Sequence, residues 1–100
     1  NYLIGEYPAE GWSQDFARKA LRWERRMEFA MEGDRFFDLV RWGIAEETMN
    51  SYISVEQNKR VYYRGARFVR GRDEYLPIPN AQYNFSEGNY VQNPGYGKFN

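Results

Sequence analysis

The sequence contains neither cysteine nor histidine. Disulfides, thiol nucleophiles, histidine-based catalytic triads and most zinc sites are therefore excluded. No apolar run approaches the roughly 20 residues of a membrane-spanning helix. Phosphate-binding and dinucleotide-binding glycine motifs, the HExxH motif and the EF-hand loop are also absent. From these absences we predict no metal site and no cofactor.

What is present is typical of a globular protein, but it is unevenly distributed. The chain is 42% hydrophobic and 19% aromatic, too much for a disordered polymer. Apolar residues are dense in 12–44, whereas 80–100 is mainly Asn, Gly, Tyr and Gln with few aliphatics. Such a tail cannot bury a core of its own. We therefore expect residues 1–100 to form the C-terminal portion of a larger domain, not an independent one.

The first half of the chain predicts helices. An extended opening segment, 1–12, precedes a helix over about 14–32, with Ser13 as its N-cap. Its apolar residues recur at spacings of three and four, which indicates one buried stripe. Gly33 is expected to end this helix, and a second helix follows over about 35–42. A weaker helix over 45–52 completes a helical region spanning 13–54.

The second half predicts a different structure. Residues 59–79 are rich in Val, Tyr and Phe, which favours one or two short antiparallel strands with a turn at Arg72-Asp73. Pro77 and Pro79 should end the pairing, because proline cannot donate to a ladder. An irregular tail is expected over 80–100. The predicted class is mainly α: a helical corner with a short β-hairpin and a long tail.

The carboxylates of the helical region permit two interpretations. Glu24, Glu28 and Glu32 share one helix face and Asp38 lies on the next helix, so a carboxylate pair could hydrolyse a glycoside. The alternative is a structural ion-pair network, with Glu28 bound to Arg25 and Asp38 bound to Arg35 and Arg41. Every carboxylate has an arginine within helical reach, which favours the network. We therefore predict no catalytic residue.

Two aromatic segments also suggest binding. In 59–72, six Lys and Arg residues alternate with aromatic residues, a composition that can bind single-stranded nucleic acid. A hairpin with Arg on its wet face and aromatic residues on its dry face is the favoured interpretation, because no nucleic-acid motif accompanies the stretch, so we expect no nucleic-acid partner. The aromatic and Asn residues of the tail could form a sugar platform, since rings stack on pyranose faces and amides bind hydroxyls. These residues are Tyr83, Asn84, Phe85, Asn89, Tyr90, Asn93, Tyr96 and Phe99. Packing onto a larger body is the alternative.

Three stretches in order resemble one family. Residues 24–43, ERRMEFAMEGDRFFDLVRWG, resemble the helical corner near the C-terminus of SusD/RagB-like proteins. Residues 76–79, LPIP, and residues 92–96, QNPGY, resemble the motifs that follow it in that family. Each motif alone is modest, but their order and spacing are specific.

The resemblance implies the closing part of a SusD-like α/α fold that contains tetratricopeptide-like helix pairs. It also implies a surface-exposed lipoprotein of the outer membrane that binds an oligosaccharide or peptide beside a SusC-like TonB-dependent transporter. Any lipid anchor would lie upstream of this chain. No ligand-binding residue can be carried over, because the family's binding residues come mostly from earlier loops. The matched residues are expected to be scaffold: Glu24, Glu28, Gly33, Arg35, Asp38, Arg41, Trp42, Pro77 and Pro79.

Overall fold

A computed structural model describes residues 5–99, and these residues are mainly helical. Within residues 5–99, four α-helices and one 3-10 helix follow one another. They are α1 (Gln14–Glu28), α2 (Arg35–Arg41), α3 (Ala45–Glu56), a 3-10 helix (Val61–Tyr63) and α4 (Asn80–Phe85). The chain divides into two compact units, Asn1–Arg35 and Phe36–Asn100. Residues 1–4 of the predicted opening segment, and residue 100, lie outside the described residues.

The first unit is built on α1, which begins where the sequence predicts. The Ser13 side chain accepts a hydrogen bond from the Phe16 backbone N–H at 3.1 Å and so caps the helix. The predicted end is wrong by four residues, because α1 stops at Glu28 and 29–33 form turns. Met31 has a φ of 69°, a left-handed conformation that cannot continue a right-handed helix. Gly33, with a φ of 84°, closes this turn instead of the helix.

The described part of the opening segment contacts α1 through aromatic rings. Residues 5–8 have no regular structure, and 9–11 form a bend and turn before the helix. Trp12 and Phe16 pack edge to face with ring centroids 5.2 Å apart, and Tyr7 lies 6.0 Å from Phe16. The Tyr7 hydroxyl donates to Glu24 Oε1 at 2.9 Å. This hydrogen bond raises the pKa of Tyr7 and joins the segment to α1.

The second unit has a small core between α2 and α3. Leu39, Ala45 and Phe68 are buried, and further apolar side chains pack around them. The turn from α2 to α3 is a Schellman motif: Ile44 N–H bonds Leu39 O and Gly43 N–H bonds Val40 O, both at 3.0 Å. Gly43 supplies the positive φ, 72°, that this motif needs. Its predicted role as a helix stop is confirmed.

The β-hairpin predicted for 59–79 is wrong. None of the described residues forms a strand; this segment holds the 3-10 helix, turns and extended chain. Its backbone groups bind side chains and nearby carbonyls, so little remains for a ladder. The Asn50 side chain bonds both the N–H and the C=O of Phe68, while Val69 O accepts from the N–H groups of Arg72 and Asp73. The turn expected at Arg72-Asp73 is present, but it joins no strands.

The tail is more regular than predicted. Residues 80–85 form α4, and Pro79 O accepts from Gln82 N–H at 3.0 Å at the start of that helix. Pro79 therefore precedes a helix, a role its fixed φ allows, as well as ending the extended segment. From 89 onward the described chain is irregular apart from a turn at 94–96, as expected.

Candidate functional site

Asp38 is the charged residue that the structure buries most clearly. It is 6% exposed, and its Oδ1 accepts from Arg41 Nη2 at 2.9 Å. The Arg41 guanidinium also lies 5.5 Å from the Trp42 ring centroid. The predicted Asp38–Arg41 pair is confirmed. A carboxylate held in this way stabilises the turn of α2 that it spans.

The acids of α1 lie in different surroundings. Glu24 is exposed and accepts from Tyr7, and Glu28 is exposed near the helix end. The Arg25 guanidinium lies over the Phe29 ring at 4.7 Å. The proposed Glu28–Arg25 pair and the scaffold roles of Glu24, Glu28 and Arg35 stay predictions.

Acidic side chains pair with part of the basic stretch 59–72. Lys59 and Arg60 both contact Glu56, at 3.4 and 3.6 Å. Arg70 contacts Glu46 at 3.6 Å, and Arg72 contacts Asp73 at 2.6 Å. Four of the six cations therefore have acidic partners, which leaves less charge for phosphates than the sequence suggests.

The structure brings together two segments that the sequence singles out separately. Gln92 bonds both backbone groups of Ile78: it accepts from the N–H at 2.8 Å and donates to the C=O at 3.0 Å. Asn93 donates to Leu76 O and Tyr96 donates to Tyr75 O, both at 2.6 Å. We call these contacts of Gln92, Asn93 and Tyr96 the closing clamp.

The closing clamp gives a physical reason for the amide side chains at positions 92 and 93. Residue 75 lies in a bend and 76–79 have no regular structure, so their backbone groups need other partners. A Gln or Asn amide presents one donor and one acceptor side by side, which matches the N–H and C=O of an extended residue. Both motifs are evident in the sequence, but their contact with each other is not. The sequence feature that could have indicated this contact is the amide pair Gln92-Asn93, which follows the Pro-containing segment 76–79.

The 94–96 turn also lies close to the 70–74 turn. Gly95 has a φ of 83°, and a side chain there would lie 2.8 Å from Arg72 Cγ. Arg72 is in turn fixed by Asp73, through Nε–Oδ1 at 2.6 Å and Nη2–Oδ2 at 2.9 Å. The Arg72 hydrogen bonds, helped by the Val69 N–H, hold the pKa of Asp73 below its usual range.

This lowered pKa predicts an acid-dependent loss of stability. Asp73 titrates near its ordinary value of 3.8 when unfolded and lower when folded, so its contribution is present above about pH 4 and is lost as pH falls through the folded value. Urea unfolding of wild type and Asp73→Asn at pH 6 and pH 3 measures it. We expect wild type to be more stable than Asp73→Asn at pH 6, and this difference in the free energy of unfolding to shrink at pH 3. Asp15→Asn, at a 96% exposed side chain, controls for charge loss; an unchanged difference for Asp73→Asn contradicts the assignment.

Residues of the tail line an open groove. Its volume is about 480 Å³, and its walls are Tyr83, Tyr90, Val91, Lys98 and Phe99 together with the 92–96 turn. The rings of Tyr83 and Phe99 stack with centroids 4.2 Å apart and planes at 16°. We call it the tail groove. Of the predicted sugar platform, it gathers Tyr83, Tyr90, Asn93, Tyr96 and Phe99, but not Asn84, Phe85 or Asn89.

The SusD family profile matches residues 2–96. The chain therefore belongs to the SusD family, as the three motifs predicted, and its mainly helical structure agrees with a SusD-like helical fold. Members of this family are generally non-catalytic proteins that bind glycans or other nutrients for uptake at the outer membrane. No curated protein matches the chain significantly. Within residues 5–99, none of the helices is both long and apolar enough to span a bilayer.

Proposed function

We propose that this protein is the surface nutrient-binding component of a TonB-dependent outer-membrane uptake system. It binds an oligosaccharide or peptide without altering it and delivers it to a SusC-like transporter, held to the membrane by a lipid anchor. The observation that carries this proposal is the SusD family match over residues 2–96. The closing clamp supports it, because two of the family-like motifs are joined physically.

We further propose that residues 1–100 serve as the closing part of a larger domain. Among the described residues, the buried apolar side chains are only Ala20, Leu39, Ala45 and Phe68. Large apolar side chains are instead exposed in both units; Met27 is 58% exposed and Leu76 is 85% exposed. Apolar exposure on this scale is typical of surfaces that pack against further protein.

The distribution of acids supports binding over hydrolysis. A glycosidase needs two carboxylates facing one cleft, about 5 to 9.5 Å apart. The tail groove has no Asp or Glu among its lining residues. Asp38 is buried and paired with Arg41, and Glu24 accepts from Tyr7.

The proposal predicts ligand binding without turnover. We expect calorimetry of the intact protein against neutral hexasaccharides, uronate hexasaccharides and peptides to give a measurable Kd for at least one class. Chromatography of the mixture after prolonged incubation should return the ligand unchanged. Products would favour the glycosidase alternative, and Glu28→Gln would then abolish turnover while leaving the helical circular dichroism intact. Failure of every class to bind would contradict the proposal.

A further inference from the structure

We propose that the tail groove is a saccharide subsite in which Tyr90 stacks on a sugar ring and Lys98 donates to its oxygens. This inference rests on the proposed function, since it names a site and a ligand class for it. The family match assigns no ligand-binding residue to this chain. The argument therefore comes from the shape, rigidity and polarity of the groove.

The groove has the size and the lining of a ligand site. Its volume of about 480 Å³ falls within the roughly 300–1,000 Å³ usual for small-molecule pockets. The Tyr90 side chain lines it and is 48% exposed within residues 5–99. A half-exposed aromatic ring in a concave wall offers the flat apolar surface that a pyranose face needs.

The walls of the groove are held in place before any ligand arrives. On one side, the closing clamp fixes the 92–96 turn to the backbone of 75–78 through four side-chain hydrogen bonds. On the other, Phe99 is stacked on Tyr83, which belongs to α4. A wall that is already ordered costs less entropy on binding. This separates Tyr90 from a ring such as Phe85, which is 87% exposed and outside the groove.

The polar groups of the groove select the ligand class. Lys98 is the one charged residue among the lining residues, and no carboxylate accompanies it. A cationic ligand would meet like charge, whereas hydroxyls or a carboxylate would find an ammonium donor. Aromatic walls with one ammonium group among the lining side chains therefore fit a neutral or acidic sugar. A neutral ring and a uronate differ in what they require of Lys98, and the experiment separates them.

The test is calorimetry of the intact protein with a glucose hexasaccharide and a galacturonate hexasaccharide. Tyr90→Ala should raise the Kd of the hexasaccharide that binds about tenfold, because stacking and buried ring area are lost. Tyr90→Phe should keep the Kd within about twofold of the wild-type value, because it keeps the ring. Phe85→Ala is the matched control and should leave the Kd unchanged. If the natural ligand is an acidic sugar, Lys98→Met should lower the affinity for the galacturonate hexasaccharide selectively. If the natural ligand is neutral, the substitution should lower the affinity for both hexasaccharides equally.

The possible outcomes distinguish a failure of the saccharide subsite from a failure of the proposed nutrient-binding function. If wild type binds a hexasaccharide and Tyr90→Ala binds it equally well, the subsite is overturned and the nutrient-binding proposal stands. If neither hexasaccharide binds but a peptide does, the subsite is again overturned. If no ligand of any class binds, the proposed function fails as well. Unchanged hydrogen exchange at the Ile78 amide would establish that Tyr90→Ala leaves the closing clamp folded.

Discussion

Replacing Asn50 with alanine should lower the free energy of unfolding of the second unit by about 2–6 kcal/mol. Asn50 Oδ1 accepts from Phe68 N–H at 2.9 Å, and its Nδ2 donates to Phe68 O at 3.0 Å. Phe68 is 7% exposed and belongs to the small core with Leu39 and Ala45. Alanine would leave both backbone groups without partners beside that core, and each unsatisfied group costs about 1–3 kcal/mol.

Hydrogen exchange at the Phe68 amide is the most direct measurement, because it reports the local opening free energy even if the intact protein does not unfold in two states. Asn58→Ala is a matched control: its amide donates to Ser54 O at 3.1 Å, but the contact is exposed. It should change stability by no more than about 0.5 kcal/mol. Equal effects of the two substitutions would show that water replaces the Asn50 amide at little cost.

The helices could be predicted from the sequence because their signals are local. Ser13 and Gly43 act through hydrogen bonds within five residues of themselves, so a cap or stop can be read from neighbouring residues. The end of α1 was placed too late because the apolar spacing continues beyond Glu28. Apolar periodicity indicates which face of a helix is buried but not where the helix ends. The left-handed φ of Met31, which follows the end of α1, has no signal in the sequence pattern.

The failed hairpin has a non-local cause. Val, Tyr and Phe in 59–79 favour extended backbone, but a strand also needs a partner, and these residues find one in side chains elsewhere. Asn50 lies 18 residues before Phe68, and Gln92 lies 14 residues after Ile78. The candidate site also depends on non-local contacts. Aromatic composition indicates a platform in the tail, but the closing clamp and the Tyr83–Phe99 stack determine which rings share one groove.

Gly95→Ala should destabilise the second unit by about 2–4 kcal/mol and loosen the closing clamp. A non-glycine residue at a φ of 83° costs about 1–2 kcal/mol. The added Cβ would also lie 2.8, 2.9 and 3.0 Å from Cγ, Cδ and Cβ of Arg72. Those atoms cannot swing aside freely, because the guanidinium is bound to Asp73 by two hydrogen bonds. Overpacking of this kind typically adds about 1–3 kcal/mol.

Two other glycines separate the backbone term from the contact with Arg72. Gly65 has a φ of 79° but no atom within 4 Å of the added Cβ, so Gly65→Ala should show the backbone cost alone. Gly97 has neither a positive φ nor a close neighbour, so Gly97→Ala should be nearly neutral. Hydrogen exchange at the Ile78 amide should therefore rise most for Gly95→Ala. If Gly65→Ala and Gly95→Ala destabilise equally, Arg72 yields to the methyl group without cost, and the two turns are not locked together.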